Sequence, residues 1–584
     1  MCGIIGMFGS NFDREQLDAM VLSQCHRGPD ASGVYVSPSR MAALGHNRLS
    51  ILDLSNAGRQ PLSTPSGRYW IVFNGEIYNY LELRQELSAH YTFRTGTDTE
   101  VLLVAYQTWG EDCLDRLIGM FAFAIWDERE RRLFAARDRF GVKPLHLYEP
   151  GDGELWLASE IKAFHAAGVP AEPDTATWAT YLASGMYDHG ARTFWRGIRR
   201  LLPGSCLTWS EDGGVHERVW YDPAVTALSL GPDSRSEDEV GEELLNLLTE
   251  SVNLRFRADV PVGICLSGGF DSSLLLGLVH RLQGKQSTVK TFTFYCGDPA
   301  YDETPWVKQM LAETRHPSSF CRLSVDEVPD LAARVQATQD EPFGGLPTLG
   351  MAKVHEQACA EKVVVLLDGN GLDEGWAGYD YYAQAEAIDG SVGPVQGARQ
   401  EKASTCLCGE FARQAVPFIP ARPFGDSLLD LQYRDLRYAK IPRSMRFADR
   451  VSMMYSRELR EPFLDHRIVE LGLRQAADRK TRDGVGKWLP RRVAQQLLPD
   501  GVREAPKRPV QTPQREWLRG PLRDWVETQL ETVSGELGGS WFEPGAMKQR
   551  WQQYRDHGGD NSFFLWQWVN LGLMLQNQGV SSRA

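Results

Sequence analysis

The pattern of apolar residues changes once along the chain, and this change most limits the folds that the sequence can adopt. Residues 1–205 contain short strand-like apolar runs, such as Tyr69–Phe73 and Phe121–Trp126, separated by Gly, Asn and Asp turns. Helical patterns such as Glu100–Trp109 lie between these runs. A strand-rich segment with a few helices predicts a layered α+β domain.

Residues 206–238 are predicted to link this domain to a second domain over residues 239–584. The second half of this linker is rich in Pro, Gly, Ser and acidic residues and has little apolar periodicity. After it, apolar strands such as Val262–Leu266 and Lys362–Leu367 alternate with helical segments. This alternation predicts an α/β domain with a parallel sheet, followed by mainly helical structure from about Tyr379 onward.

The composition excludes several classes of protein. A net charge of −13 gives a surface that does not attract nucleic acid or anionic membranes as a whole. The sequence has no run of about 18 apolar residues and no basic segment before its short apolar N-terminus. We therefore expect a cytoplasmic protein without a nucleic-acid or membrane partner. Ten cysteines in 584 residues are too few for a disulfide framework.

Cys2 directly follows the initiator methionine and is a candidate nucleophile. Because so small a side chain permits removal of the methionine, Cys2 would then carry a free α-amine beside its thiol. An α-amine, with an ordinary pKa of about 8, can act as the base for the adjacent thiol. On this residue alone, an ordinary terminal cysteine is the alternative.

A glycine-rich loop follows the apolar run Val262–Leu266. The loop, Ser267–Ser273 (SGGFDSS), leads into a predicted helix, so backbone N–H groups and a helix N-terminus can face a phosphate. It lacks the Gly-Lys-Ser/Thr end of a Walker motif and the glycine spacing of a dinucleotide site. A second loop with acidic residues, Asp368–Glu374 (DGNGLDE), follows another apolar run. A tight strand-to-helix turn is the alternative for the first loop alone.

Five motifs occur in order in the first domain. They are His26–Asp30 (HRGPD), Arg48–Asp53 (RLSILD), Phe73–Asn79 (FNGEIYN), Gly96–Asp98 (GTD) and Ala136–Leu145 (ARDRFGVKPL). With Cys2, this set resembles the class II, or N-terminal nucleophile, glutamine amidotransferases over about residues 1–200. The resemblance implies an αββα fold of the Ntn-hydrolase type.

The same resemblance implies a role for each residue of a glutaminase site. Cys2 would attack the glutamine side-chain amide, and Asn74 with the backbone N–H of Gly75 would form the oxyanion hole. Arg48 would bind the α-carboxylate of glutamine, and Glu76 and Asp98 its α-ammonium group. The glutamine-binding set implied in this way is Arg48, Ile51, Asn74, Glu76 and Asp98.

The second domain resembles the ATP pyrophosphatases, and with its second loop it is similar to the asparagine synthetase family. Such enzymes split ATP between the α and β phosphates and adenylate a carboxylate. The resemblance implies that Asp271 and Asp373 share Mg²⁺ and that Lys507 neutralises the leaving pyrophosphate. The implied ATP-binding residues are Leu266, Ser267, Gly268, Gly269, Asp271, Ser272, Phe294, Asp368, Gly369 and Lys507.

The second loop departs from the family pattern at Asn370. Typical asparagine synthetases carry a glutamate there, which is thought to help remove a proton from ammonia. An amide cannot act as a base near neutral pH, so Asp368 is expected to compensate, or the acceptor differs from aspartate. Residues 390–423 are poor in family-like residues and are a candidate for shaping an unusual acceptor site.

The expected function is therefore the glutamine-dependent amidation of a carboxylate that ATP has activated. Glutamine, ATP and the acceptor acid, either aspartate or a related sugar or natural-product acid, are the expected small-molecule partners. A closed passage would carry ammonia between the domains, and a homodimer is a further hypothesis. Two alternatives stay open: a ligase that closes a lactam or macrocycle without ammonia, and a catalytically idle relative.

Overall fold

The computed structural model of the chain describes residues 1–387, 406–505, 507, 512–559 and 561–578. Most of these residues belong to large β-sheets and to the helices that pack against them. In the part of the chain so described, no helix is both long and apolar enough to span a membrane.

The strands form two six-stranded sheets, one five-stranded sheet and one two-stranded sheet. In chain order they are β1 (Gly3–Phe8), β2 (Ala31–Val36), β3 (Ala42–Arg48), β4 (Leu62–Ser63), β5 (Tyr69–Ile77), β6 (Gly119–Asp127), β7 (Arg132–Arg137), β8 (His146–Tyr148), β9 (Leu155–Ala158), β10 (Ile198–Arg200), β11 (Ser205–Ser210), β12 (Gly214–Val219), β13 (Val262–Cys265), β14 (Lys290–Tyr295), β15 (Ser318–Arg322), β16 (Val365–Leu367), β17 (Glu458–Arg460), β18 (Thr481–Arg482) and β19 (Val485–Gly486).

The α-helices are more frequent in the second half of the chain. In order they are α1 (Arg14–Ser23), α2 (Tyr80–Leu87), α3 (Asp98–Trp109), α4 (Cys113–Arg116), α5 (Lys162–Ala166), α6 (Thr175–Ser184), α7 (Pro223–Leu230), α8 (Glu237–Leu254), α9 (Phe270–Gln283), α10 (Thr304–Thr314), α11 (Val328–Gln339), α12 (Leu346–Ala360), α13 (Leu372–Gly375), α14 (Gly409–Ala412), α15 (Ser427–Arg434), α16 (Ile441–Met454), α17 (His466–Leu473), α18 (Ala477–Lys480), α19 (Trp488–Val493), α20 (Asp500–Arg503), α21 (Gln514–Arg519), α22 (Arg523–Leu537), α23 (Pro544–His557) and α24 (Phe563–Gln578).

The N-terminal residues fold into two stacked antiparallel sheets. The first has the strand order β10-β8-β9-β1-β3-β2, and the second has the order β12-β11-β7-β6-β5-β4. Apolar side chains of both sheets, such as Phe8, Leu44, Val72 and Trp126, pack together in one buried cluster. Helices α1 and α5 cover the first sheet, and α2 and α3 cover the second. The predicted α+β layered domain, with the αββα fold of Ntn-hydrolases, is confirmed.

The second antiparallel sheet extends further along the chain than the sequence predicted. Strands β11 and β12, within residues 205–219, pair with each other, and β11 also pairs with β7. The boundary predicted at residue 205 is therefore wrong, because residues 206–238 include these two strands and helix α7. Strand β12 is largely exposed, so it lacks the buried apolar alternation by which a strand is recognised in sequence.

The C-terminal residues form a parallel sheet with the strand order β15-β14-β13-β16-β17. All four neighbouring pairs are parallel. Helices α8, α9, α17 and α19 pack on one face, and α12 and α16 pack on the other. Because both faces are covered, the central strands are continuous apolar runs, as in β16. The predicted α/β parallel-sheet domain with additional helices is confirmed.

Helices near the C-terminus connect the two domains. Helices α22 and α24 contact each other, and α24 also contacts α11, in a large buried cluster that includes α6 of the N-terminal part. The Trp566 side chain of α24 is fully buried, and its indole N–H donates to the Phe343 carbonyl at 3.0 Å. Gln567 donates a hydrogen bond to the Tyr181 carbonyl of α6.

Buried polar contacts fix α16 and β17 against the N-terminal domain. Arg27 donates from Nη1 and Nη2 to the two carboxylate oxygens of Asp449, at 2.8 Å and 3.1 Å. The Lys143 ammonium donates to the Leu459 carbonyl at 3.4 Å. These contacts place the edge strand of the parallel sheet beside the start of β1.

Candidate active sites

Cys2 lies immediately before β1, where the N-terminal domain meets β17. Its backbone N–H donates to Asn74 Oδ1 at 2.9 Å, and its carbonyl accepts from Arg27 Nε at 2.9 Å. Burial raises the pKa of the Cys2 thiol. The amine of Met1 is also buried and donates to Glu458 Oε2 at 2.9 Å. The predicted nucleophile therefore lies at an enclosed junction between the two domains.

Asn74 and Gly75 are adjacent on β5, next to Cys2. Asn74 is fully buried, and no described residue accepts a hydrogen bond from its Nδ2. Gly75 has a φ of 156°, and a Cβ at this position would lie 2.1 Å from the Met120 carbonyl oxygen. Only glycine fits this close approach. The site thus offers an unused N–H donor beside the thiol, as an oxyanion hole requires.

Arg48 ends β3, and its guanidinium is held by the turn that follows. Nη1 donates to the Ser55 carbonyl at 2.7 Å, and Nη2 donates to the Leu52 carbonyl at 3.2 Å. Ile51 is buried in the same turn, and its carbonyl accepts from the Asp259 N–H at 2.9 Å. Neutral carbonyl oxygens position Arg48, so its positive charge is available to an anionic ligand.

Two buried carboxylates complete the predicted glutamine site: Glu76 on β5 and Asp98 at the start of α3. Asp98 Oδ2 accepts from the Ile77 N–H at 2.8 Å. Burial, together with the nearby Glu458 carboxylate, raises the pKa of Asp98 to about 7 and the pKa of Glu76 well above its ordinary range. Arg460 lies 3.5 Å from Glu76 and partly opposes this shift. An ammonium group placed here would find two carboxylates short of positive charge.

A cavity of about 280 Å³ lies at the carboxyl ends of the parallel strands. Strands β13, β14 and β16 end beside it, which is where ligands bind in open α/β sheets. Its lining includes every residue predicted for the ATP site and both residues predicted to hold Mg²⁺. These lining residues are Leu266, Ser267, Gly268, Gly269, Asp271, Ser272, Phe294, Asp368, Gly369, Asp373 and Lys507.

The residues after β13 form a tight loop that leads into α9. Gly268 has a φ of 81°, and a Cβ there would lie 2.8 Å from the Glu303 carbonyl oxygen. The Ser267 N–H donates to Ser272 Oγ at 3.1 Å, which closes the loop onto the first turn of α9. The N-terminus of α9 therefore faces the cavity among small residues, an arrangement suited to binding phosphate.

Two lysines join Asp271 and Asp373 in this cavity. Lys487 Nζ lies 2.7 Å from Asp271 Oδ2 and 2.5 Å from Asp373 Oδ1, and Lys507 Nζ contacts Asp373 Oδ2. Burial opposes ionisation of Asp373, but the two ammonium groups hold its pKa below the ordinary range. Burial instead raises the pKa of Asp271. The cluster places two carboxylates and two ammonium groups within one cavity.

The paired carboxylates are compatible with a hard divalent cation, although they do not form a complete metal site. Carboxylate oxygens are the protein ligands that Mg²⁺ prefers, usually one or two beside water and phosphate oxygens. Lys487 already places positive charge between Asp271 and Asp373, so both oxygens are oriented toward a cation. Among the described residues, no group of three or more His, Cys, Asp or Glu side chains could hold a metal ion.

Several cavity residues were not predicted from the sequence. Lys487 lies 216 residues from Asp271 along the chain and has a left-handed φ of 57° just before α19. The Asp-Gly turn at Asp483 and Gly484, shortly before it, is the signal that could have drawn attention to it. Other such residues are Glu303, Trp306, His355, Glu374, Tyr379 and Arg491.

Asn370 lies between the partly buried carboxyl group of Asp368 and the buried carboxyl group of Glu461, at the edge of the cavity. Its Nδ2 donates to Asp368 Oδ2 at 3.0 Å and to Glu461 Oε1 at 3.4 Å. Burial and the charge of Asp271 raise the pKa of Asp368 to about 6. Residues 390–405 of the predicted acceptor segment and residues 508–511 next to Lys507 lie outside the described residues.

Two family models match the chain, one for each domain. A glutamine amidotransferase domain matches residues 1–221, and an asparagine synthase model matches residues 243–577. The first match ends two residues after β12, in agreement with the observed extent of the second sheet.

The similar proteins include asparagine synthetases and amidases. The chain is 30% identical to asparagine synthetase (glutamine-hydrolyzing) 1 of Bacillus subtilis, and the match covers 91% of this chain and 90% of that protein. It is 29% identical to amidase chry2 of Gibberella zeae, covering 83% and 72% of the two chains. It is 33% identical to amidase chyE of Penicillium rubens, covering 61% and 54%.

Proposed function

The chain belongs to the asparagine synthase family and carries a glutamine amidotransferase domain, and we propose that its two sites together convert an ATP-activated carboxylate into an amide. In this proposal the first site hydrolyses glutamine to glutamate and ammonia. The second site joins ATP and the acceptor acid into an acyl-adenylate and releases pyrophosphate. Ammonia then attacks the adenylate, which gives the amide and AMP.

Cys2 would attack the glutamine amide after removal of Met1 has freed its α-amine. The amine would accept the thiol proton, which the buried thiol does not release readily. The unused Nδ2 of Asn74 and the backbone N–H of Gly75 would then stabilise the tetrahedral oxyanion. The 2.9 Å contact between Cys2 and Asn74 supports this assignment.

Charged side chains around Cys2 would bind the two ends of the amino-acid part of glutamine. Arg48, which donates to the backbone carbonyl oxygens of the turn after β3, would bind the α-carboxylate. Glu76 and Asp98 would bind the α-ammonium group, which supplies the positive charge that these carboxylates lack. Ile51 would contribute an apolar wall.

In the second site, Gly268 and Gly269 with the N-terminus of α9 would cradle the pyrophosphate part of ATP. Lys507 would neutralise the leaving pyrophosphate, and Leu266, Phe294 and Gly369 would contact the adenosine. Mg²⁺ held by Asp271 and Asp373 would offset negative charge on the phosphates.

Ammonia would pass between the sites alongside β17. At its start, Glu458 contacts the Met1 amine beside Cys2. At its end, the Arg460 carbonyl accepts from the Asp368 N–H at 3.0 Å, on the lining of the ATP cavity. A short enclosed route would deliver ammonia before bulk water protonates it.

The acceptor that we propose is a small carboxylic acid, aspartate or a related acid. Asn370, in place of the glutamate of typical asparagine synthetases, favours an acid other than aspartate, and relatives named as amidases are compatible with this choice. A lactam-forming ligase needs no glutaminase, so the preserved Cys2 site disfavours it. The homodimer, the lack of a nucleic-acid partner and the cytoplasmic location stay predictions.

The observation that carries the proposal is that both sites adjoin the same three-residue strand, β17. Glu458 begins the strand at the Cys2 site, and Glu461 directly follows it at the second loop of the ATP cavity. Ammonia made at one site is therefore released close to the other.

Two single substitutions test this division of labour. Cys2→Ala is expected to abolish glutamine hydrolysis and glutamine-dependent amidation, while amidation with ammonium chloride continues. Asp271→Asn is expected to reduce acid-dependent exchange of pyrophosphate into ATP by about 100-fold or more, while glutamine hydrolysis stays measurable. Cys25→Ala, at an exposed cysteine, is the matched control and should change neither activity. Loss of both activities in either variant, with the fold intact by circular dichroism, would contradict the proposal.

A further inference from the structure

Three polar side chains meet where β16 and β17 end. The two strands are parallel neighbours, with Leu367 paired to Arg460, so Asp368 and Glu461 leave the sheet side by side. Asn370 Nδ2 donates to both carboxyl groups, at 3.0 Å and 3.4 Å. We call these three residues, Asp368, Asn370 and Glu461, the strand-end triad.

Glu461 is the member of the strand-end triad with an unused polar atom. The residue is only 4% exposed, and its Oε2 has no hydrogen-bond partner among the described residues. Buried carboxylate oxygens are nearly always paired, because an unpaired one loses its hydration without compensation. Oε2 therefore indicates a polar ligand that is absent from the protein itself.

The position of Glu461 near both sites limits which ligand could bind its Oε2. Glu458 contacts the Met1 amine at the glutaminase site, and Glu461 lies three residues further along, which corresponds to roughly 10 Å of extended chain. Asn370 and Asp368, its partners, line the ATP cavity. In the proposed function the small polar molecule that moves from the Cys2 site to this cavity is ammonia, so ammonia is the ligand that fits the position of Oε2.

The reaction also needs a proton acceptor at this point. When ammonia attacks the acyl carbon, the nitrogen forms a bond and gains a positive charge, and it must lose a proton to become an amide. Asn370 cannot take this proton, since an amide has no basic site near neutral pH. A carboxylate within reach of the nitrogen can take it.

We propose that Glu461 binds incoming ammonia through Oε2 and accepts the proton that the nitrogen loses during amide formation. This inference rests on the proposed function. The C–N bond forms, the bond between the acyl carbon and the phosphate oxygen breaks, AMP leaves with the electron pair, and the proton moves to the Glu461 carboxylate. Asn370 holds the carboxyl group through Oε1, which leaves Oε2 facing the ammonia.

The surroundings of Glu461 favour this role. Burial and the neighbouring Asp368 carboxylate raise its pKa well above the ordinary range, while Lys143 acts in the opposite direction. The Cys265 thiol also lies close to both carboxyl groups, and Asp271 lies close to Asp368. A raised pKa makes the carboxylate a stronger base. Because only the ionised form accepts a proton, amide formation should increase as pH rises through this pKa.

The test compares amide formation with adenylation in the same protein. The acceptor is the acid that supports pyrophosphate exchange in the wild type, and ammonium chloride is the nitrogen source. At a constant concentration of free ammonia, set by adjusting the ammonium chloride at each pH, Glu461→Gln should reduce amide formation by about 100-fold or more and remove its rise with pH, while pyrophosphate exchange changes less than about threefold. The double variant Asn370→Glu/Glu461→Gln places a carboxylate at the neighbouring position. Its rate of amide formation should be at least about tenfold higher than that of Glu461→Gln alone.

Glu470→Gln is the matched control, because it alters another glutamate whose pKa burial raises, and this glutamate accepts from the Tyr221 hydroxyl at 3.0 Å and does not line the ATP cavity. It should leave both rates and the pH profile unchanged. Amide formation in Glu461→Gln within threefold of the wild type would overturn the inference, as would an unchanged pH profile.

A measurement without acceptor separates this inference from the proposed function. Infrared spectra of the wild type and of Glu461→Gln are recorded over a range of pH and subtracted. The difference should show the band of one carboxyl group that titrates above the ordinary glutamate range, and the band should shift when ammonium chloride is added. A carboxyl band that ammonium leaves unchanged would overturn the inference. Failure of every tested acid to support pyrophosphate exchange would instead contradict the proposed function.

Discussion

Asp98 is a buried carboxylate whose charge should control glutamine binding. Burial raises its pKa to about 7, so the group is mostly neutral at pH 6 and mostly ionised at pH 8. Since only the ionised form attracts the α-ammonium group, we expect the KM for glutamine to fall as pH rises across this range. Steady-state glutaminase assays at pH 6, 7 and 8 measure this.

The control for this prediction is Asp98→Asn. It keeps the size of the side chain and removes its charge, so the KM should be high and nearly independent of pH. A wild-type KM that is constant between pH 6 and 8 would show that Asp98 does not bind the ammonium group.

Lys487 should be as important to the ATP site as the lysine identified from the sequence. It contacts both Asp271 and Asp373, and Lys487→Met would leave two partly buried carboxylates close together with less positive charge. Unpaired buried charges cost several kcal/mol, so pyrophosphate exchange should fall by about 100-fold or more. Glutaminase activity should persist, and Lys487→Arg should retain part of the exchange. Full exchange in Lys487→Met would mean that Lys507 alone balances the site.

At the residue scale, ordered motifs predicted the members of both sites because each motif is local in sequence. Asp271 and Gly268 lie close together in one predicted loop, and in the structure that loop lines the cavity at the carboxyl ends of the parallel strands. Lys487 and Glu461 were missed because their roles come from contacts with residues 216 and 91 positions away. The turn before Lys487 could mark that position, but a single sequence does not show which distant residues such a side chain contacts.

Helix α24 illustrates how a single element can stabilise both domains. Trp566 is fully buried in a cluster that contains residues of both domains. Trp566→Ala should lower stability by about 3–5 kcal/mol, because it removes a large apolar side chain and leaves a cavity. A clear shift of the urea midpoint to lower concentration, followed by fluorescence or circular dichroism, is the expected result. Leu22→Ala, at a side chain that is 72% exposed, should shift it little.

At the element scale, apolar strands were predictable and polar ones were not. β5 and β6 extend the predicted runs Tyr69–Phe73 and Phe121–Trp126 at their ends, and β13 lies within the predicted run Val262–Leu266. β17 consists of Glu458, Leu459 and Arg460, and its two charged residues are buried because they pair with each other and with the N-terminal domain. Neither periodicity nor propensity identifies such a strand, since its stability comes from tertiary contacts.

For the whole molecule, the paired contact between Arg27 and Asp449 should couple the two activities. These residues are 422 positions apart, and the bidentate pair is fully enclosed between the domains. Arg27→Met would leave Asp449 short of positive charge, at a cost of about 3–5 kcal/mol. We expect a lower unfolding midpoint and a leak of ammonia, so that more glutamate than amide is formed.

The ratio of glutamate to amide, measured by chromatography under saturating substrates, tests this coupling. Arg14→Met is the control, because Arg14 pairs with Asp18 on the exposed surface of α1. An unchanged ratio in Arg27→Met would mean that this contact stabilises the interface without sealing the route.

The burial of Met1 has a practical consequence for anyone who produces this protein. Its amine is enclosed against Glu458, and the residue is 2% exposed, so residues added in front of Met1 would have to displace this contact. An affinity tag fused at this end would also keep Cys2 from carrying the free α-amine that the proposed mechanism needs. Purification handles belong at the opposite terminus, and a preparation tagged in front of Met1 should be soluble yet unable to use glutamine.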